Sequence, residues 1–388
     1  MLEQICPSDT LCLRQRFVTT PAGRSLSVMK HTGFIDLPLH SGKCPRWLFE
    51  KMRILGAKIC QIIIIEFGKD TLLKNLANPF WFQCFGCVLG FDWHSSGLTT
   101  TVCGALKEAF KDLKEFGVYI CGGKGKTSRK TPQEIQEIGE KISKDTSFLV
   151  YASKMAAKVD NNALQDGYTL YHHTFIFTQD FRWIVIQQGM AQNLYARRYH
   201  WYSEDLNSFV EEPHKAIITD KSFLTLNLVD KEKRNLREMI KELALRNPEK
   251  NIKDLKILEK NYHKLPLRHQ VLIKDITPKY LDRILLRTYQ RKPRDFGQLL
   301  SLENVGAKTL RALALISDLI YGESISFKDP ARFSFAHGGK DRHPYKINLA
   351  HYQKTIDILD KAINKAKIER TDKIKALRRL YNFYFARI

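Results

Sequence analysis

Residues 165–189 read Gln165-Asp166-Gly167-Tyr168-Thr169-Leu170-Tyr171-His172-His173-Thr174-Phe175-Ile176-Phe177-Thr178-Gln179-Asp180-Phe181-Arg182-Trp183-Ile184-Val185-Ile186-Gln187-Gln188-Gly189. Two runs rich in β-branched and aromatic residues, 168–177 and 183–187, flank a polar turn at 178–181. Such residues suit a pleated, half-buried surface, so the stretch predicts a hairpin. Side chains alternate along a strand, so His172 and His173 take opposite faces. At most one of them can share a cluster with Asp166 and Gln187.

Working outward, helical spacing dominates the N-terminal side. Pro45 opens a run in which Trp47, Leu48, Met52, Leu55 and Ile59 recur at helical intervals, and Gly68 stops it. A short helix is expected over 71–76 and an amphipathic one carrying Leu106, Phe110 and Leu113. A strand at 118–121 runs into Gly122-Gly123-Lys124-Gly125-Lys126-Thr127-Ser128-Arg129-Lys130, and Thr131-Pro132-Gln133-Glu134 opens the next helix with a capping box. Beyond Asp220 the periodicity is helical almost throughout, ending in one long basic helix over about 347–385. This pattern predicts an α+β fold: a loose arm over 1–28, a mixed domain with a small sheet over 29–225, and a helical, basic half over 226–388.

The chain of 388 residues holds 63 Lys and Arg against 41 Asp and Glu, a net charge of +22. An excess of that size favours an anionic partner, nucleic acid before membrane. The apolar runs Ile62–Ile65 and 84–89 fall well short of the ~18–20 residues a membrane span needs. Eight cysteines without a signal peptide point to a reducing cytoplasm. Cys84-Phe85-Gly86-Cys87 lacks a second pair at zinc-ribbon spacing and reads as buried thiols.

Two segments suit phosphate. Gly122, Gly123, Lys124, Gly125, Lys126 and Arg129 combine flexible backbone with cations. They read either as a clamp for a phosphodiester or as an exposed basic loop. A Walker A loop is excluded, because Ile120 stands where its first glycine belongs. Residues 296–316 place a short apolar helix before Asn304-Val305-Gly306 and a second helix from about Lys308-Thr309. This resembles the helix-hairpin-helix of DNA repair proteins and nucleases. The resemblance implies that Val305 is buried, that Gly306 permits the turn, and that the turn amides with Lys308 and Thr309 hold one backbone phosphate without reading sequence. Asn304 replaces the motif's first glycine and tolerates a positive φ.

Polar blocks in apolar surroundings supply candidate chemistry. Asp92, His94 and Asp166, with His172 or His173, are candidate ligands for Mg²⁺ or Mn²⁺ in phosphodiester hydrolysis. Gln187 or Gln188 would orient water, and Arg197 or Arg198 would stabilise phosphate charge. Against this stand few carboxylates, and Gln187-Gln188-Gly189 where a restriction-type core has Glu-x-Lys. The alternative is a hydrogen-bonded structural network.

Long motifs at 37–42, 79–83, 90–97, 122–126, 187–190, 196–201 and 335–344 resemble the DUF763 family of archaea and thermophilic bacteria. That resemblance implies a prokaryotic, cytoplasmic protein and carries no activity. The expectation is a DNA-processing protein, a metal-dependent nuclease or repair factor. Its alternative is a noncatalytic module that binds the DNA backbone. RNA binding is the weaker option, since no RNP or GXXG signature is present.

Overall fold

The computed structural model describes residues 44–91, 96–192, 195–219, 223–274, 276, 278–331, 349–366 and 369–385. The expected N-terminal arm lies outside them. Four helices come first: α1 (Arg46–Phe67), α2 (Lys69–Ala77), α3 (Pro79–Leu89) and α4 (Gly97–Lys111). Their boundaries follow local chemistry. Gly68 ends α1 at φ +85°, a conformation a side chain resists. Asn78 caps α3 by accepting from the amides of Phe80 and Trp81, and Pro79 takes the first position, where no amide is needed. Cys84 and Cys87 lie in α3, and Cys84 packs in the core.

Next come β1 (Val118–Lys124), α5 (Thr131–Lys141), α6 (Ser147–Lys158), β2 (Leu164–Gln165), β3 (Thr169–Thr178), β4 (Trp183–Met190), β5 (Ala196–Tyr202), β6 (Ala216–Ile218) and β7 (Leu226–Asn227). Five strands form an antiparallel sheet in the order β1-β3-β4-β5-β6, and β2 pairs with β7. The hairpin legible at 168–187 is its centre, with His172 opposite Gln188 and His173 opposite Gln187. Helices α7 (Arg234–Leu245), α8 (Pro248–Lys260), α9 (Leu267–Ile273), α10 (Pro278–Arg291), α11 (Phe296–Ser301), α12 (Ala307–Leu319), α13 (Leu349–Lys365) and α14 (Arg370–Phe385) complete an α+β fold.

Both faces of the sheet are covered. Ile120, Ile176, Ile184, Ile186 and Tyr202 pack on α1–α4, joined there by Ile358, Leu359 and Ile363 of α13 and Ala376 of α14. Phe175, Phe177, Trp183, Val185 and Trp201 pack on α5–α12. Both cores draw on residues from either side of position 225, and Thr32–Ile388 forms one compact unit. The long C-terminal helix expected over 347–385 is instead two helices, α13 and α14. The break lets α13 lie on α1 while α14 returns to α3, which a single rod could not do. Among the described residues no helix is long and apolar enough to cross a membrane.

Candidate functional site

Strand alternation divides the polar residues of the sheet into two clusters. On the α6 side, Ser153 of α6 donates to His173 Nε2 at 2.9 Å, and His173 Nδ1 donates to Gln187 Oε1 at 2.8 Å. Gln187 Nε2 donates in turn to Asp160, which also accepts from Trp201 Nε1 at 3.0 Å and from His214. This chain fixes a neutral His173, whose pKa burial pushes down. Asp160, Ser153 and His214 were not singled out from sequence. The one local signal was the polar run Asp160-Asn161-Asn162 closing an apolar helix.

Asp166 lies on the same face with different partners. It accepts from Arg197 Nη1 at 2.7 Å, Tyr199 Oη at 2.8 Å and the Tyr168 amide at 3.2 Å. Arg197 also grips Asp329, with Nη2 at 2.8 Å, and both Asp166 and Arg197 are 0% exposed. Burial pushes the Asp166 carboxyl up, against the pull of Arg197 and Tyr199. Burial likewise opposes charge on Arg197, but Asp166 and Asp329 raise its pKa on balance. We take the pair as ionised, because the guanidinium fork serves two carboxylates at once.

The opposite face carries the row Lys124, His172, Gln188 and Arg198, set side by side by the strand registers. His172 Nε2 meets Thr174 Oγ1 at 3.0 Å, and burial pushes its pKa down to about 3. Gln188 Nε2 donates to the Ser96 carbonyl at 2.9 Å and contacts the Tyr171 hydroxyl. Arg198 donates to Gln83 Oε1 at 2.9 Å and Thr99 Oγ1 at 3.3 Å and lies over the Phe82 ring. Both of these hydrogen-bond partners are neutral, and burial pushes its pKa down to about 9. The structure thus separates Asp166, His173, Gln187 and Arg197 from His172, Gln188 and Arg198. Asp92 and His94 lie outside the described residues. Among the described residues no three His, Cys, Asp or Glu side chains are grouped to hold a metal.

The glycine-lysine segment divides in function. Gly122 is structural: at φ +88°, an added Cβ would meet the His173 carbonyl oxygen at 2.2 Å. Its amide donates to Glu134 at 2.7 Å, its carbonyl accepts from Lys107 at 2.8 Å, and Lys107 pairs with Glu134. Beyond it, residues 125–130 form a short 3₁₀ turn on which Lys126, Arg129 and Lys130 are exposed, as is Lys124 before them.

Helices α11 and α12 flank the tight turn anticipated at 304–306. Val305 is buried and Asn304 holds φ +67°. Gly306 differs from its expected role: it is extended, at φ −122°, as the residue before α12. Lys158 donates to the carbonyls of Leu300 and Leu302 and ties down the α11 end. Asn162 accepts from the Ala307 amide at 3.2 Å, and Gln165 donates to its carbonyl at 2.9 Å. Lys308 is exposed, whereas Thr309 is buried.

These contacts put the two basic features at one end of the sheet. Lys124, leading into the 3₁₀ turn, pairs with His172 near the start of β3. The Leu170 amide beside it donates to Asn161. The neighbouring Asn162 and Gln165 hold the first residue of α12.

The family described as "Protein of unknown function (DUF763)" has a model that matches residues 33–347. No curated protein and no solved structure matches the chain. The match spans most of the sequence, so the chain belongs to the DUF763 family.

Proposed function

We propose that this DUF763 protein binds DNA through its sugar-phosphate backbone, with little sequence preference, in DNA processing or repair. One observation carries the reading: exposed Lys124, Lys126, Arg129 and Lys130 share an end of the sheet with Lys308 at the start of α12. Exposed cations beside a helix N-terminus suit phosphate and carry no base code. Titration of labelled duplex and branched DNA at several salt concentrations tests it. The expected result is affinity that falls steeply with salt, as counterion release requires. Lys308→Glu and the pair Lys126→Glu with Arg129→Glu should each weaken binding equally for unrelated sequences. Salt-insensitive binding, or none at low salt, refutes the reading.

The noncatalytic form of this reading is better supported than metal-dependent cleavage. Hydrolysis at Asp92, His94 and Asp166 needs Asp166 to coordinate a cation, yet Arg197, Tyr199 and the Tyr168 amide occupy its carboxylate. A nicking assay with Mg²⁺ or Mn²⁺ compares wild type with Asp92→Ala and Asp166→Asn. Binding without cleavage is expected. Cleavage abolished by both substitutions in folded protein would restore the catalytic reading.

A further inference from the structure

The positive charge is concentrated. Residues 246–294 hold fourteen Lys and Arg against five Asp and Glu, a net +9 within the overall +22. This segment builds α8, α9 and α10. Helix α10 buries Leu281, Leu285 and Thr288. Along another side it exposes Tyr280, Arg283, Arg287 and Arg291. Their offsets of three, seven and eleven keep them in one stripe. Tyr280 is 75% exposed. Among the described residues none of the three arginines is in an ion pair, whereas Arg237 and Lys241 of α7 and Arg246 just after it each are. Asp282, the one acid within α10, sits on the far side of the helix from the stripe.

Arginines four residues apart advance by about 6 Å along the axis, and the stripe from Tyr280 to Arg291 covers about 16 Å. Guanidinium forks match phosphate oxygens, which makes such a row a track for a phosphodiester backbone. The tyrosine at its end discriminates between strand forms. Its ring needs a free base face, and a duplex keeps its base faces stacked on one another. We propose that α10 binds single-stranded nucleic acid, with phosphates on Arg283, Arg287 and Arg291 and a base stacked on Tyr280. Helix α8 packs against α10 and exposes Lys253, Lys256 and Lys260, which add to the field. The proposal rests on the backbone-binding reading above and adds to it a second surface, on α10, that takes single strands.

The test uses full-length protein with fluorescein-labelled oligo(dT) and a duplex of equal length, measured by anisotropy over a salt series. Tyr280→Ala should weaken oligo(dT) binding roughly tenfold and leave the duplex unchanged, because one base stack is lost. Tyr280→Phe should restore it. Replacing Arg283, Arg287 and Arg291 together by Gln should lower the salt slope for oligo(dT) by about two. All four side chains are exposed, so thermal melts should match wild type. Wild-type protein that binds duplex alone, or variants that bind oligo(dT) as wild type does, would overturn the α10 track while leaving backbone binding standing. Wild-type protein that binds neither form would overturn both.

Discussion

At the residue scale, the buried histidines tie stability to pH. His172, His173 and His200 all have their pKa pushed down by burial, His172 to about 3 from an ordinary 6.5. The folded state keeps them neutral, while the unfolded chain protonates them below about pH 6.5. Their contribution is therefore complete above pH 6.5 and lost as the pH falls below it, for His172 toward about 3. The urea midpoint should drop across that window, and His172→Gln should flatten the drop. A midpoint constant from pH 7 to pH 4 would contradict this. The opposite faces of His172 and His173 were legible in the sequence, because they follow from strand alternation alone. The partner of Asp166 was not: Arg197 lies 31 positions away in sequence, and Asp329, the second carboxylate that Arg197 grips, lies 132 positions beyond it. Arg197, Arg198 and His200 also concealed β5, since buried polar side chains interrupt the apolar pattern that marks a strand.

At the element scale, the α11–α12 turn separates two residues that look alike in sequence. Asn304 holds a positive φ that a β-branched side chain resists, so Asn304→Val should cost about 1–3 kcal/mol and Asn304→Gly should be tolerated. Gly306 is extended, and an added Cβ there finds only Asn162 Oδ1, at 3.9 Å. Gly306→Ala should therefore fold as wild type. Urea denaturation of the three variants checks this, and a Gly306→Ala loss as large as that of Asn304→Val would refute it. The tolerance of asparagine for this conformation was readable in advance. The role of Gly306 was not, because Asn162 and Gln165 on a distant segment set the start of α12. Gly122 makes the same point: its glycine is required by the His173 carbonyl on the neighbouring strand.

At the scale of the whole molecule, the sheet needs cover on both faces, and the C-terminus supplies part of it. Ile358, Leu359 and Ile363 of α13 bury their side chains among those of α1–α4. At about 1.5–3 kcal/mol for each of these three buried aliphatic side chains, removing residues 349–388 should cost about 4.5–9 kcal/mol. A truncated chain should melt far below full length and be cleaved early by protease within α1–α4; an unchanged melt would show these helices to be dispensable. The sequence by itself determined the α+β class, the central hairpin with its alternation, the helix start at Pro45 and the stop at Gly68, and the excess of positive charge. Each rests on local periodicity, on the conformational limits of proline and glycine, or on composition. Tertiary structure alone decided that α13 returns to the N-terminal helices and that Asp166 is bound to Arg197. It also decided that two basic features share one end of the sheet. Those outcomes depend on which distant side chains meet when both faces of one sheet are buried, and no local pattern along the chain records that meeting.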